Sequence, residues 1–257
     1  MLNKVELPIT TYISFSSINV DNPKKLLIEK NKEINVFPDE STLKVLNSVL
    51  NKVKETQFYH NSKFNDNEKL TVKEFLKFGY EKYSLDILRM ISVYPGSQEL
   101  LNSNFIISLC TFCLEGLKQE DNVIKALCLR IIVNLFTIDS SRLYLTSKRQ
   151  TVLDEISLLL DTENSPLRSS ISGLILNYSI VFYNKNDKEA IIQLLTIITE
   201  FLSSEKDIKN ITNLFVAISN IIYMSKENLT LAKDLDMLQL VEDTKGETEI
   251  YSELKQF

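Results

Sequence analysis

Three kinds of side chain could carry chemistry in this sequence: one histidine, a close pair of cysteines, and asparagines that recur at equal spacing. His60 is the only histidine and falls in a polar stretch, so histidine acid–base relays and multi-histidine metal sites are excluded. Cys110-Thr-Phe-Cys113 has the spacing of a redox or zinc pair, but it lies inside an apolar helical pattern, and Cys128 is the one other cysteine. Without a second pair there are too few ligands for structural zinc, and the expected role of the three thiols is core packing. Five glycines scattered along the chain cannot build a phosphate-binding loop. Carboxylates are plentiful, yet none forms a pair in the apolar setting that general acid catalysis needs. No enzyme is expected, and no metal or cofactor.

The asparagines point to binding instead. "CLRIIVNLF", "GLILNYSIV" and "VAISNIIYM" are apolar helical segments that carry Asn134, Asn177 and Asn220, spaced 43 residues apart twice. That spacing falls within the period of about 40 to 47 residues of armadillo and HEAT repeats, whose stacked helices bury one continuous core. "LDILRMISV", with Arg89 laid on Arg130, reads as an earlier, divergent copy. Spacings of three and four residues place one face on each helix: Leu127, Arg130, Asn134 and Thr137; then Ser170, Gly173, Asn177 and Ile180; then Asn213, Val216, Asn220 and Tyr223. A primary amide has both a donor and an acceptor, so it can grip a peptide backbone without reading its side chains. It can equally bond a neighbouring repeat and hold the stack together. Both readings stand open, and they are compatible.

Arg130 stands in a strongly apolar helix one turn before Asn134, where a guanidinium needs either a carboxylate partner or an open groove that receives an anion. Arg142, Lys148 and Arg149 follow closely. All five arginines (Arg89, Arg130, Arg142, Arg149 and Arg168) fall within eighty residues, which suits a local basic surface or an accident of sampling. The candidate groove residues are Arg130, Asn134, Asn177 and Asn220, with Tyr178, Tyr223 and Asn213 beside them. Arg89, Lys148, Arg149 and Lys209 form a candidate basic flank.

The elements that would position these residues are helices. Scarce glycine and proline, five of each, argue against a turn-rich β fold. The spacing predicts a first helix in "DESTLKVLNSVLNKVKE" with Asp39 near its cap. Further helices are expected at 68–79, 82–94, 98–118, 121–138, 148–161, 165–183, 187–204, 206–224 and 227–236. Asp121 is placed as one cap, and Ser165, just before Pro166 at the first helical position, as another. Residues 1–38 read as an arm packed on the body: a β-prone aromatic stretch from Tyr12 to Phe15, a turn, then a lysine-rich helix. Residues 39–257 form the repeat body, arm and body making one structural unit. The expected fold is all-α, an armadillo-like helical-repeat superhelix with a short N-terminal arm.

Composition agrees with a folded protein: 44% apolar, 25% charged, net charge −5. The acidic balance and the lack of a long basic stripe speak against nucleic acid. With no signal-peptide pattern, no apolar run of about eighteen residues and an odd cysteine count, an intracellular, soluble protein in a reducing compartment, off the membrane, is expected. A monomer and a cytoplasmic and nuclear location are separate expectations that these features do not themselves fix.

Taken in order, "YSLDILRMISVYPGSQELL", "NVIKALCLRIIVNLF", "LRSSISGLILNYSIVFY" and "NLFVAISNIIY" closely resemble the PUL domain. That domain ends the phospholipase A-activating protein of animals and its fungal ubiquitin-homeostasis counterpart, Doa. The opening "TYISFSSINVDNPKKLLIEKN" and "DESTLKVLNSVL" are similar to the start of the domain. The resemblance implies an armadillo-like stack with a concave, basic groove for the acidic C-terminal tail of the hexameric AAA segregase (valosin-containing protein). It further implies a role in ubiquitin recycling and ubiquitin-dependent degradation. The family's groove arginine in its "LR-x-x-x-N" helix matches Arg130. A second groove arginine, seven residues before the last asparagine, is replaced here by Asn213, with Lys209 or Lys148 as substitutes for the lost charge. Full-length relatives carry a WD-repeat propeller and a ubiquitin-binding PFU domain. Neither is read in this sequence, so a C-terminal fragment of a longer protein is expected, with ubiquitin engaged only through domains absent from it. The alternative is a structural scaffold that binds another protein through a different surface. Whether "YSELKQF" fills the groove is left open.

Overall fold

A computed structural model describes residues 7–55, 63–102, 104–183, 185 and 187–244. His60 and "YSELKQF" lie outside the described residues. Thirteen α-helices are present among those described: α1 (Asp21–Ile34), α2 (Glu40–Glu55), α3 (Asp66–Glu74), α4 (Lys82–Ser92), α5 (Phe105–Gly116), α6 (Asn122–Leu135), α7 (Asp139–Ser147), α8 (Arg149–Ser157), α9 (Ser165–Phe182), α10 (Lys188–Ser204), α11 (Ile208–Met224), α12 (Lys226–Asp234) and α13 (Met237–Asp243). The fold is all-α and armadillo-like, a helical-repeat stack without strands among the described residues. The aromatic stretch of the arm is neither helix nor strand.

Local chemistry explains most boundaries. Asp121 accepts from the Val123 amide at 2.8 Å and caps α6. Asp207 caps α11, and Asn65 with Glu68 closes a reciprocal capping box on α3. At α9 the cap is Asn164 and not Ser165: the Asn164 side chain accepts from the Leu167 amide at 3.0 Å, so Ser165 and Pro166 are the first helical residues. The single helix expected at 98–118 is broken: a 3₁₀ turn at Leu100–Asn102 precedes α5. Helix α7 escapes the hydrophobic pattern because its Leu143 faces solvent, 69% exposed, and only Leu145 is an apolar anchor.

The chain forms two compact units, residues 14–144 and residues 7–13 with 145–244. In the first, α4 packs along α6 and α1, α2 packs on α3, and α5 on α6. In the second, α9 lies along α11, with α10 against α8, α9 and α11 and with α12 on α11. Helices α6, α9 and α11 are apolar on nearly every side and supply core residues such as Ile131, Leu174, Ile175 and Phe215. Their buried serines stay satisfied: Ser172 donates to the Ser169 carbonyl, and Ser179 to that of Leu176. Cys110, Cys113 and Cys128 are buried free thiols. Burial alone pushes Cys110 up to about 12, which keeps it protonated and inert.

Candidate functional site

The recurring asparagines hold a peptide backbone, and that backbone is the chain's own arm. In the 14–144 unit, Asn134 Oδ1 accepts from the Phe15 amide at 2.6 Å and its Nδ2 reaches the Phe15 carbonyl at 3.4 Å. The same Nδ2 donates to the Arg89 carbonyl on α4 at 3.0 Å. In the other unit, Asn177 makes the same pair of bonds to Ile13 (2.9 and 3.1 Å) and Asn220 to Ile9 (3.0 and 3.3 Å). Asn220 also donates to Ser179 Oγ on α9 at 3.1 Å. Backbone gripping and repeat-to-repeat bonding therefore coexist in single side chains. All three asparagines are fully buried. Their partners Ile9, Ile13 and Phe15 are half-buried, while Thr10, Thr11, Ser14, Ser16 and Ser17 are exposed.

Two arginines of the 14–144 unit meet the arm in different ways. Arg89, 5% exposed, donates from Nε to Asp86 at 2.7 Å and from Nη1 to the carbonyls of Phe15 and Ser17 at 2.7 and 2.9 Å. Arg130 carries its guanidinium over the Phe15 ring, 4.9 Å from the centroid. Its buried Nε has no hydrogen-bond partner among the described residues. Burial first, and then the charge of Arg89, pull Arg130 below the ordinary arginine range, with Asp86 opposing. Arginine remains charged at any physiological pH all the same.

Arg130 lines a cavity of about 600 Å³ whose walls include Tyr80, Tyr83, Leu127 and the exposed Val123. The neighbouring charges have partners: Lys82 pairs with Asp121 at 2.5 Å, and Asp86 with Arg89. Desolvation, followed by the charge of Glu81, pushes the Tyr83 hydroxyl up to about 12, so it stays neutral. The cavity thus offers a largely apolar lining and one under-compensated cation, beside the carboxylates of Glu81 and Asp86, which are paired with Lys30 and Arg89. This suits a carboxylate carried on a partly apolar chain.

The remaining candidate residues lie elsewhere in their units. Tyr178 is buried, stacks with Phe182 and donates to the Leu145 carbonyl at 3.1 Å. Tyr223 is 46% exposed at the end of α11. Asn213 donates to Ser172 Oγ at 3.2 Å. Lys148 and Lys209 are exposed, and Arg149 pairs with Asp187 at 2.8 Å. The composition of the helices did not reveal Phe15, Asp86 or the tyrosines of the cavity. One signal was available: in Tyr12-Ile13-Ser14-Phe15-Ser16 the apolar residues alternate with polar ones, the pattern of an extended segment lying on a surface.

The family model of the PUL domain matches residues 7–255, nearly the whole chain, arm included. The chain belongs to the PUL domain family. Over 157 residues it is 27% identical to the phospholipase A-2-activating protein of Xenopus laevis, a match over 59% of this chain and 19% of that protein. The chain thus spans about a fifth of that relative. The crystal structure of a PFU-PUL domain pair of Saccharomyces cerevisiae Doa1/Ufd3 superposes with a TM-score of 0.68 at 21% identity, over 97% of this chain and 78% of that one. A second crystal structure, of a PUL and PFU domain, gives 0.69 at 20% identity with the same coverage. PUL domains are non-catalytic scaffolds associated with ubiquitin homeostasis, and the family engages AAA ATPase tails. Among the described residues no cluster of three or more histidine, cysteine or acidic side chains could hold a metal, and no helix is long and apolar enough to cross a membrane.

Proposed function

We propose that this PUL domain is a non-catalytic docking module for the acidic C-terminal tail of the hexameric AAA segregase, acting in the cytoplasm and nucleus. By holding that tail it links the ATPase to ubiquitin recycling and ubiquitin-dependent degradation. The observation that carries this reading is Arg130: a charged, half-buried guanidinium at a cavity wall, its Nε without a hydrogen-bond partner among the described residues. Arg89 beside it already has Asp86 and two arm carbonyls, so an incoming carboxylate meets Arg130. Asn134 serves the site indirectly, by fixing the backbone of Phe15 beside it.

Calorimetric titration with the acidic tail peptide tests this. Wild type should saturate, and Arg130→Ala should lose at least about tenfold in affinity, or 1.4 kcal/mol, while keeping its fold. Affinity should also fall as salt rises. Wild-type binding that is absent, or indifferent to Arg130, would remove the reading. One observation favours a second one: the amides of Asn134, Asn177 and Asn220 are already occupied by the arm. A scaffold that binds another protein through a different surface would have this appearance, and it predicts no tail binding at all.

A further inference from the structure

We infer that Phe15, an arm residue, is a positioning residue for Arg130, so that the arm forms part of the tail receptor and does not compete with the tail; this rests on the docking reading above. Three observations within the 14–144 unit carry it. First, the Phe15 backbone is held at both its polar groups, the amide by Asn134 and the carbonyl by Asn134 and Arg89. Second, its ring lies against the Arg130 guanidinium. Third, Phe15 is only half-buried, so filling the core does not account for an aromatic residue there.

The arm has different effects on the two arginines. Its carbonyls satisfy Arg89, which together with Asp86 locks that side chain into the fold. Its aromatic face restrains Arg130 without using any of the guanidinium's hydrogen-bond donors, since a ring offers a quadrupole and no lone pair of the carboxylate kind. A free arginine side chain loses considerable rotamer freedom when it is fixed on a ligand, and preorganisation against a ring removes part of that cost beforehand. The guanidinium is thereby both held and available. An arm carbonyl in the same place would hold Arg130 equally well and leave it less able to bind an anion.

The test uses the full chain and the acidic tail peptide with a free terminal carboxylate. Phe15→Leu keeps an apolar side chain and removes the π face, whereas Phe15→Tyr keeps the face. Phe15→Leu should weaken binding about threefold to tenfold, with Phe15→Tyr within about twofold of wild type. In an Arg130→Met background, Phe15→Leu should have no further effect, because its contribution passes through Arg130. The Nε–H resonance of Arg130 gives a ligand-free readout: it should show greater ps–ns mobility in Phe15→Leu than in wild type or Phe15→Tyr. A melting curve for each variant separates these effects from loss of the fold. Tail binding lost in Arg130→Met but unchanged in Phe15→Leu, with Arg130 mobility also unchanged, would overturn this inference alone. No binding by wild type would overturn the docking reading and this inference with it.

Discussion

Asn177 and Ile13 are joined by two hydrogen bonds, the Ile13 amide donating to Oδ1 at 2.9 Å and Nδ2 donating to the Ile13 carbonyl at 3.1 Å. A primary amide presents its donor and acceptor much as a peptide unit does, so Asn177 takes the place that a neighbouring strand would fill. A segment that is neither helix nor strand must satisfy its backbone somewhere, and fully buried asparagines do it here without regard to the side chains of the arm. The same clip recurs inside the 14–144 unit, where Asn31 bonds both the amide and the carbonyl of Phe37 at 2.8 and 2.9 Å.

Asn177→Leu should therefore loosen the arm more than it disturbs α9. The substitution leaves an amide and a carbonyl of Ile13 without partners, at a cost of about 2–4 kcal/mol. Chemical denaturation reads the loss, and hydrogen exchange locates it. Exchange of the Ile13 amide should speed up well beyond that of the α9 interior. Unchanged protection at Ile13 would mean that packing, not the clip, holds the arm.

Glu68 should tie stability to acid pH. Its side chain is 1% exposed; it accepts from Lys52 Nζ and Ser48 Oγ at 2.7 Å each and from the Asn65 amide at 2.8 Å. Burial raises its pKa, but these hydrogen bonds and the Lys52 charge outweigh that and leave it below the ordinary glutamate value of 4.5. A carboxyl with a lowered folded pKa stabilises fully above its unfolded value and loses that contribution as pH falls through the folded one. Glu68→Gln should cost about 1–3 kcal/mol near neutral pH. The gap from wild type should narrow as the pH drops below about 4.5, which urea titrations at several pH values would show. A gap that stays constant with pH would refute this account.

Arg168 illustrates an arginine wholly committed to structure. Its Nε pairs with Glu205 at 2.9 Å, Nη1 donates to the carbonyls of Leu160 and Thr162, and the guanidinium lies 4.3 Å from the Phe201 centroid. Glu205 in turn accepts from the amides of Lys206 and Asp207 and from Asn210 Nδ2. Arg168→Ala would leave a buried carboxylate without its cation and should destabilise by about 3–5 kcal/mol. Arg168→Lys should recover only part of that, since an ammonium cannot reproduce the planar fork. Rescue by lysine to wild-type stability in denaturant titrations would show that charge alone matters.

These side chains also show where the sequence was legible. The 43-residue recurrence of Asn134, Asn177 and Asn220 is local information repeated, and it predicts both the repeat stack and the donor–acceptor role of each amide. The identity of the backbone they bind is not local. The partners Phe15, Ile13 and Ile9 lie 119, 164 and 211 residues away, at irregular spacing along the arm. No periodicity in the helices encodes that pairing. The two arginines pose the same difficulty. Arg89 and Arg130 occupy matching positions in similar helices, yet Asp86, three residues before Arg89, claims one of them, and Leu127 at the matching place in α6 leaves the other without a carboxylate. Helix boundaries were readable where a cap lay beside an apolar stripe, as at Asp121. They failed around 98–118, where a 3₁₀ turn precedes α5 in place of one continuous helix.

The difference between Arg89 and Arg130 leads to a paired prediction in which stability and binding move in opposite directions. Arg89→Met removes a donor to two arm carbonyls and leaves Asp86 without its cation, so it should destabilise by about 3 kcal/mol. Arg130→Met removes a desolvated charge that is repelled by Arg89 and whose Nε has no hydrogen bond among the described residues. Its stacking on Phe15, worth about 0.5–2 kcal/mol, and its attraction to Asp86 are lost, and relief of the like-charge contact with Arg89 offsets them. Arg130→Met should lie within about 1 kcal/mol of wild type, or be slightly more stable, because an apolar side chain suits this site better than an uncompensated ion. Yet it should lose tail binding by at least tenfold, about 1.4 kcal/mol. Denaturant titration and calorimetry on the same two variants check both halves. If Arg130→Met unfolds as readily as Arg89→Met, the guanidinium contributes to the fold like its neighbour, and the case for reserving it for a ligand fails.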